Sequence, residues 1–209
     1  MNTATEVVPG DFPFQFVAHQ RALDFVNTER MEAGTRLDLL EDFESLIQWL
    51  VEAGVLGEQA SPSLLRQFAD KNLRATAMKE ARCLRSAIRS LAESGATGRD
   101  VPNAILNEIN RVLREARTYR EVVRTSVGFA SNYCSEWNTP LQLLAPVAEA
   151  AADLLVHGDL RLIKKCENPE CILYIYDVTK NHSRRWCSMT ACGNRNKVTA
   201  YRQRSRATS

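Results

Sequence analysis

Four cysteines in the last quarter of the chain, Cys166, Cys171, Cys187 and Cys192, stand in the pattern C-x4-C-x15-C-x4-C. No other feature restricts the fold as strongly. Two cysteine pairs with short internal gaps, separated by enough chain for a hairpin, read as one tetrahedral zinc site. Disulfides are the weaker alternative, because the opening MNTATEVVPG has neither the basic nor the apolar stretch of an export signal. Four thiolates leave zinc no open position, so one structural Zn(2+) per chain is expected, folding the segment and catalysing nothing. No run is apolar enough to span a membrane, and a cytoplasmic location is expected.

Charge divides the chain at the same place. Residues 161–209 hold eleven Lys and Arg against three acids, a net of +8, while residues 1–160 carry −6. Such asymmetry suggests a basic module for a polyanion attached to an acidic body, or a basic tail that only aids solubility. The other two cysteines, Cys83 and Cys134, fall in apolar patterns and are expected to be buried small hydrophobes. His182 reads as a turn residue, since four thiolates already complete the metal's shell.

The body reads as mainly α within an α+β class. Helices are expected over residues 18–30 and from Asp42 or Glu41 through Phe43, Leu46, Ile47 and Leu50 to a stop at Gly54. Another opens at Ser61-Pro62, one spans Ala77–Ala92 and ends before Gly95, and one follows Asp100 and Pro102. Residues 119–137 predict a hairpin around Gly128, and a small-residue helix follows Pro140 and Pro146. The domains expected are a helical one over 1–160 and a zinc module over 161–209. In the module, strands at Ile172–Asp177 and Arg184–Cys187 would flank a polar turn, with Tyr174, Tyr176 and Trp186 near the metal. A basic helix after Cys192 would place Arg195, Arg202 and Arg206 on a stripe suited to base edges in a major groove. Lys197, Arg204, Arg184 and Arg185 would then meet phosphates; a solvated basic helix is the alternative.

These residues carry a resemblance. Arg184-Arg185-Trp186-Cys187-Ser188-Met189 followed by Cys192-Gly193-Asn194-Arg195 resembles the CGNR zinc-finger family, and Leu23-Asp24-Phe25-Val26-Asn27-Thr28 resembles the opening motif of the ABATE domain that accompanies that finger. The resemblance implies a stress-induced transcriptional regulator whose partner is double-stranded DNA.

The body carries no phosphate loop, nucleophile elbow, HExxH pair or dinucleotide fingerprint, so an enzyme is not expected. A sensor or dimerisation role suits its size, with a homodimer expected because paired half-sites multiply specificity. Asp24, Asn27 and Thr28 share one helix face, and Arg82, Arg85 and Arg89 share another. If those faces met around a cavity, Asp24, Asn27, Thr28 and Arg85 would bind a polar small-molecule effector; otherwise they are a capped helix start and a solvated face. A zinc-stabilised module for RNA or protein, and an enzyme with an unrecognised site, are the competing classes.

Overall fold

The computed structural model describes residues 14–195. Helices α1 (Arg21–Val26), α2 (Phe43–Glu52), α3 (Ser61–Gln67), α4 (Lys71–Thr97), α5 (Asn103–Leu113) and α6 (Pro140–His157) build the body. Three two-stranded antiparallel hairpins complete the described fold: β1 (Glu29–Glu32) with β2 (Thr35–Asp38), β3 (Thr118–Thr125) with β4 (Gly128–Ser135), and β5 (Ile163–Lys165) with β6 (Tyr174–Tyr176). A mainly helical body with minor hairpins and a small zinc region is the class the sequence implies.

The helices begin where side chains can satisfy free backbone donors. Asp42 accepts from Ser45 N while Ser45 Oγ accepts from Asp42 N, a reciprocal cap for α2. Asp70 accepts from Asn72 N and Leu73 N to start α4, which runs for 27 residues, about 40 Å. Leu84, Ile88 and Leu91 of α4 pack with Phe25 of α1, Trp49 of α2 and Leu143 and Val147 of α6 in one apolar core.

Four expectations need correction. The helix expected over 18–30 is only Arg21–Val26, because Glu29–Glu32 leaves it to pair with β2 around the left-handed turn residues Ala33 and Gly34. Gly95 does not stop α4, which continues to Thr97 and ends at left-handed Gly98. Gly95 serves close approach instead: a Cβ there would lie 2.9 Å from both Leu160 O and Ile163 Cδ1. Pro146 does not precede α6 but lies inside it; the helix starts at Pro140, capped by Thr139 and Gln142. Cys83 is exposed on α4 and Cys134 only half-buried on β4, so neither is a core hydrophobe. The β3–β4 hairpin forms as expected but stands out from the body, with Phe129 and Tyr133 largely exposed.

Candidate metal centre and its seam with the body

The four predicted cysteines converge. Their Sγ atoms all lie within 4.8 Å of one another and all four residues are buried. Cys171 to Cys187 is 3.9 Å and Cys187 to Cys192 is 3.5 Å. Ligands about 2.3 Å from a tetrahedral zinc would sit about 3.8 Å apart, so the donor set fits that ion. Hydrogen bonds from the Cys171 and Cys187 thiols draw the Cys166 thiol well below its ordinary range, and the same bonds push Cys171 and Cys187 up. The sulfurs thus resist ionising together, and a divalent cation resolves that conflict. The cluster holds one structural zinc ion.

Short backbone segments place the ligands. Cys166 follows β5, and its N–H donates to Leu173 O at 2.9 Å. Asn168, which the sequence reading missed, organises the first knuckle: its carbonyl accepts from Cys171 N, its Oδ1 from Glu170 N, and its Nδ2 donates to Cys192 Sγ at 3.3 Å. Cys187 N–H points to Cys166 Sγ at 3.4 Å. Cys192 lies in the helical turn Met189–Gly193, capped by Ser188. A Cβ at Gly193 would fit tightly, 3.1 Å from Met189 Sδ and 3.3 Å from Trp186 Cδ1, so those side chains would have to give by a few tenths of an ångström.

The expected strand at Arg184–Cys187 is absent. Strand β6 pairs with β5 upstream of the first cysteine, Ile163 opposite Tyr176, and the Arg184–Cys187 segment contributes single bonds such as Glu167 N to Arg185 O. Nor do Tyr174 and Tyr176 cover the metal; both pack on the body core, and only Trp186 joins the sulfur cluster. Asp177, fully buried, ties the loop together by accepting from Lys164 Nζ (2.7 Å), Thr179 N and Oγ1, and Arg184 N. Burial opposes its ionisation, but these donors outweigh that and hold the carboxyl well below the usual range.

Residues of the LDFVNT string make the seam between body and module. Asn27 pairs with Tyr174 as a strand would: its Nδ2 donates to Tyr174 O at 2.8 Å and its Oδ1 accepts from Tyr174 N at 2.9 Å. Tyr176 N donates to Ala18 O, Ala18 N donates to Asp24 Oδ1, and Arg184 Nη2 donates to Val17 O. Burial pushes the Asp24 carboxyl up to about 6 against the pull of the Ala18 and Val17 amides and of Arg184.

Thr28 and Arg85 do meet, at 2.9 Å, but Arg85 also spans both Asp38 oxygens at 2.7 Å each and reaches Glu29. Arg89 holds Glu29 and Val26 O, and Arg82 lies on Leu40 O, so the arginine face clamps the β1–β2 hairpin to α4. Of the expected effector residues, Asn27, Thr28 and Arg85 thus bond to protein, and Asp24 lines a cavity of about 370 Å3 with His19, Arg21 and Asp153.

Among the expected nucleic-acid contacts, Arg184 spends its guanidinium on the carbonyls of Val17, Trp186 and Cys187. Arg185 is exposed, bonded to Glu167 and stacked 5.1 Å over Trp186. Arg195 is exposed. Lys197, Arg202, Arg204 and Arg206, and with them the basic helix expected after Cys192, lie outside the described residues. No helix among the described residues is long and apolar enough to cross a membrane.

Two family models match the chain. One, ABATE, described as "Putative stress-induced transcription regulator", takes in residues 19–158; the other, the CGNR zinc finger, takes in residues 162–205. Neither description is of an enzyme. No curated protein matches the chain.

Proposed function

Because the chain belongs to the ABATE family and carries a CGNR zinc finger behind that domain, we propose that it is a DNA-binding transcriptional regulator acting in a stress response. The observation that carries this reading is the contrast within the finger: its metal face is closed and docked, while the segment as a whole keeps a net charge of +8. A polyanion is the partner such a surface attracts, and phosphates supply most of the affinity. In this reading Arg195, Arg202 and Arg206 meet base edges and Lys197, Arg204 and Arg185 meet phosphates, while Arg184 chiefly positions Arg185 and Trp186.

Regulation enters through the body. A small polar effector would act at the Asp24 cavity, since that residue also holds the Ala18 amide beside the finger's docking strand. A homodimer would present two fingers to paired half-sites.

The test is selection of bound sequences from a random duplex pool by the full-length zinc-loaded protein, followed by titration of the selected duplex, a scrambled duplex and the matching RNA against salt. Selective duplex binding with a steep salt slope is expected. Arg202→Ala should cost about 1–3 kcal/mol and relax one base pair, whereas Lys197→Ala should weaken all duplexes alike and lower the salt slope by about 1. Equal affinity for both duplexes, or preference for RNA, would overturn the reading.

A further inference from the structure

The β3–β4 ribbon has one face that the described residues leave open. Register places Arg120 opposite Tyr133, Val122 opposite Ser131 and Arg124 opposite Phe129 on that face. Each arginine lies over its cross-strand ring, at 5.8 Å for Tyr133 and 4.8 Å for Phe129. Val122, Phe129 and Tyr133 are 69%, 70% and 76% exposed. The face carries two cations and no acid, on a body whose net charge is −6. Its opposite side, with Val123, Ala130 and Cys134, is the partly buried one.

The same chain contains a surface of the opposite character. Along α2 the described residues leave a groove of about 900 Å3 with Phe16, Val51 and Leu56 on its apolar floor and Glu44, Glu52 and Glu58 around it, and among the described residues no Lys or Arg lines it. Phe16 is 42% exposed there. Glu44 is paired with Arg74 and Glu52 with Gln48, while Glu58 has no ion-pair partner among the described residues.

We propose that the open ribbon face of one copy docks along α2 in the groove of a second copy, setting Arg120 and Arg124 among the glutamates and Phe129 and Tyr133 on Phe16, Val51 and Leu56. Spacing agrees with charge. Four residues of strand separate the two arginines, about 13 Å, and eight residues of helix separate Glu44 from Glu52, about 12 Å. Each aromatic ring can bury about 150–250 Å2, and a two-fold pair makes the contact twice. With the groove surface covered in return, the total reaches the roughly 1,200–2,000 Å2 of a stable interface. The inference rests on the dimeric part of the proposed function and not on its DNA part.

The test is sedimentation velocity of the full-length zinc-loaded protein without nucleic acid, across concentration and salt. The wild type should dimerise, more weakly at high salt. Arg120→Glu with Arg124→Glu should weaken the dimer at least about tenfold, and so should Glu52→Lys with Glu58→Lys, with unchanged circular dichroism. Mixed together, the two double variants should form a heterodimer, because each reversed ribbon then meets a reversed groove and each native ribbon a native one. A monomeric wild type would overturn both the dimer and its geometry. A wild-type dimer that neither double variant weakens, or a mixture that does not recover, would overturn the ribbon-and-groove contact alone.

Discussion

The helical body and the zinc module lie side by side and are held by different forces. The body buries Trp49, Phe25, Phe43, Phe68 and a dozen or more aliphatic side chains in one core, each worth about 1.5–3 kcal/mol. The module's own cluster offers four cysteines, Leu173 and Ile175, with Val17 and Trp186 at its edge. That is too little apolar surface to offset the chain entropy of its loops, so a metal must supply the difference. The comparison teaches how a metal-dependent segment can be kept in register with a core-built one: the backbone of the docking strand is held by the side-chain amide of Asn27 at Tyr174 and by Ala18 O at Tyr176, while Ile163 and Tyr174 pack into the body core.

Metal removal breaks the comparison most severely. Structural zinc contributes about 10–16 kcal/mol in small fingers, so chelation, or Cys187→Ser, should abolish order over residues 166–193 while helical circular dichroism falls only slightly. Wholesale loss of helix would show that the body depends on the metal as well.

Asp177 comes next. Replacing it with Ala removes the acceptor for the amides of Thr179 and Arg184 and leaves Lys164 Nζ with His182 O, and should cost about 2–4 kcal/mol, read as a loss of zinc-loaded stability in urea. Its depressed folded pKa contributes stability that is present above about pH 4 and lost as pH falls below it.

Asp24 has the opposite sign. Its folded pKa of about 6 lies above the ordinary carboxylate value, so its contribution is fully present below about pH 4 and is lost as pH rises through 6. Asp24→Asn keeps an acceptor for Ala18 N–H and removes the buried charge. It should flatten the stability profile between pH 4 and 6 and raise stability at pH 8 by up to about 2 kcal/mol. An unchanged slope in chemical denaturation would show that Asp24 titrates normally.

The smallest effect is at Gly95. Its replacement by Ala should gain about 1 kcal/mol of helix propensity but force Ile163 and the Leu160 carbonyl away, costing about 1–3 kcal/mol. A net loss of about 1 kcal/mol in thermal melts is expected; a gain would show that α4 and β5 are less tightly apposed than 2.9 Å implies.

Much of this was legible in the chain. Cysteine spacing located the metal centre, and i, i+3, i+4 apolar spacing located α2, α4 and α5, because both signals are local in sequence. What escaped depends on partners far along the chain. Glu29–Glu32 has no alternating pattern and forms a strand because Arg85 and Arg89 hold Glu29 and Asp38. Gly95 resembles a helix stop until Ile163 is placed against it. Asn27 resembles an effector ligand or a helix end, and only Tyr174, 147 residues away, reveals it as a docking residue. Asn168, two residues after Cys166, offered a local cue, an amide between paired cysteines, that spacing rules for metal ligands do not weigh.

The central claim is that Asn27 fastens the metal-built module to the core-built body. Amide hydrogen exchange of zinc-loaded wild type and Asn27→Ala tests it directly. The variant leaves Tyr174 N and O buried without partners, at about 1–3 kcal/mol each. The account predicts that protection at Tyr174 and Tyr176 falls by at least about tenfold, while zinc stays bound and protection within α4 and α6 is kept. Unchanged protection at Tyr174 in the variant would contradict it.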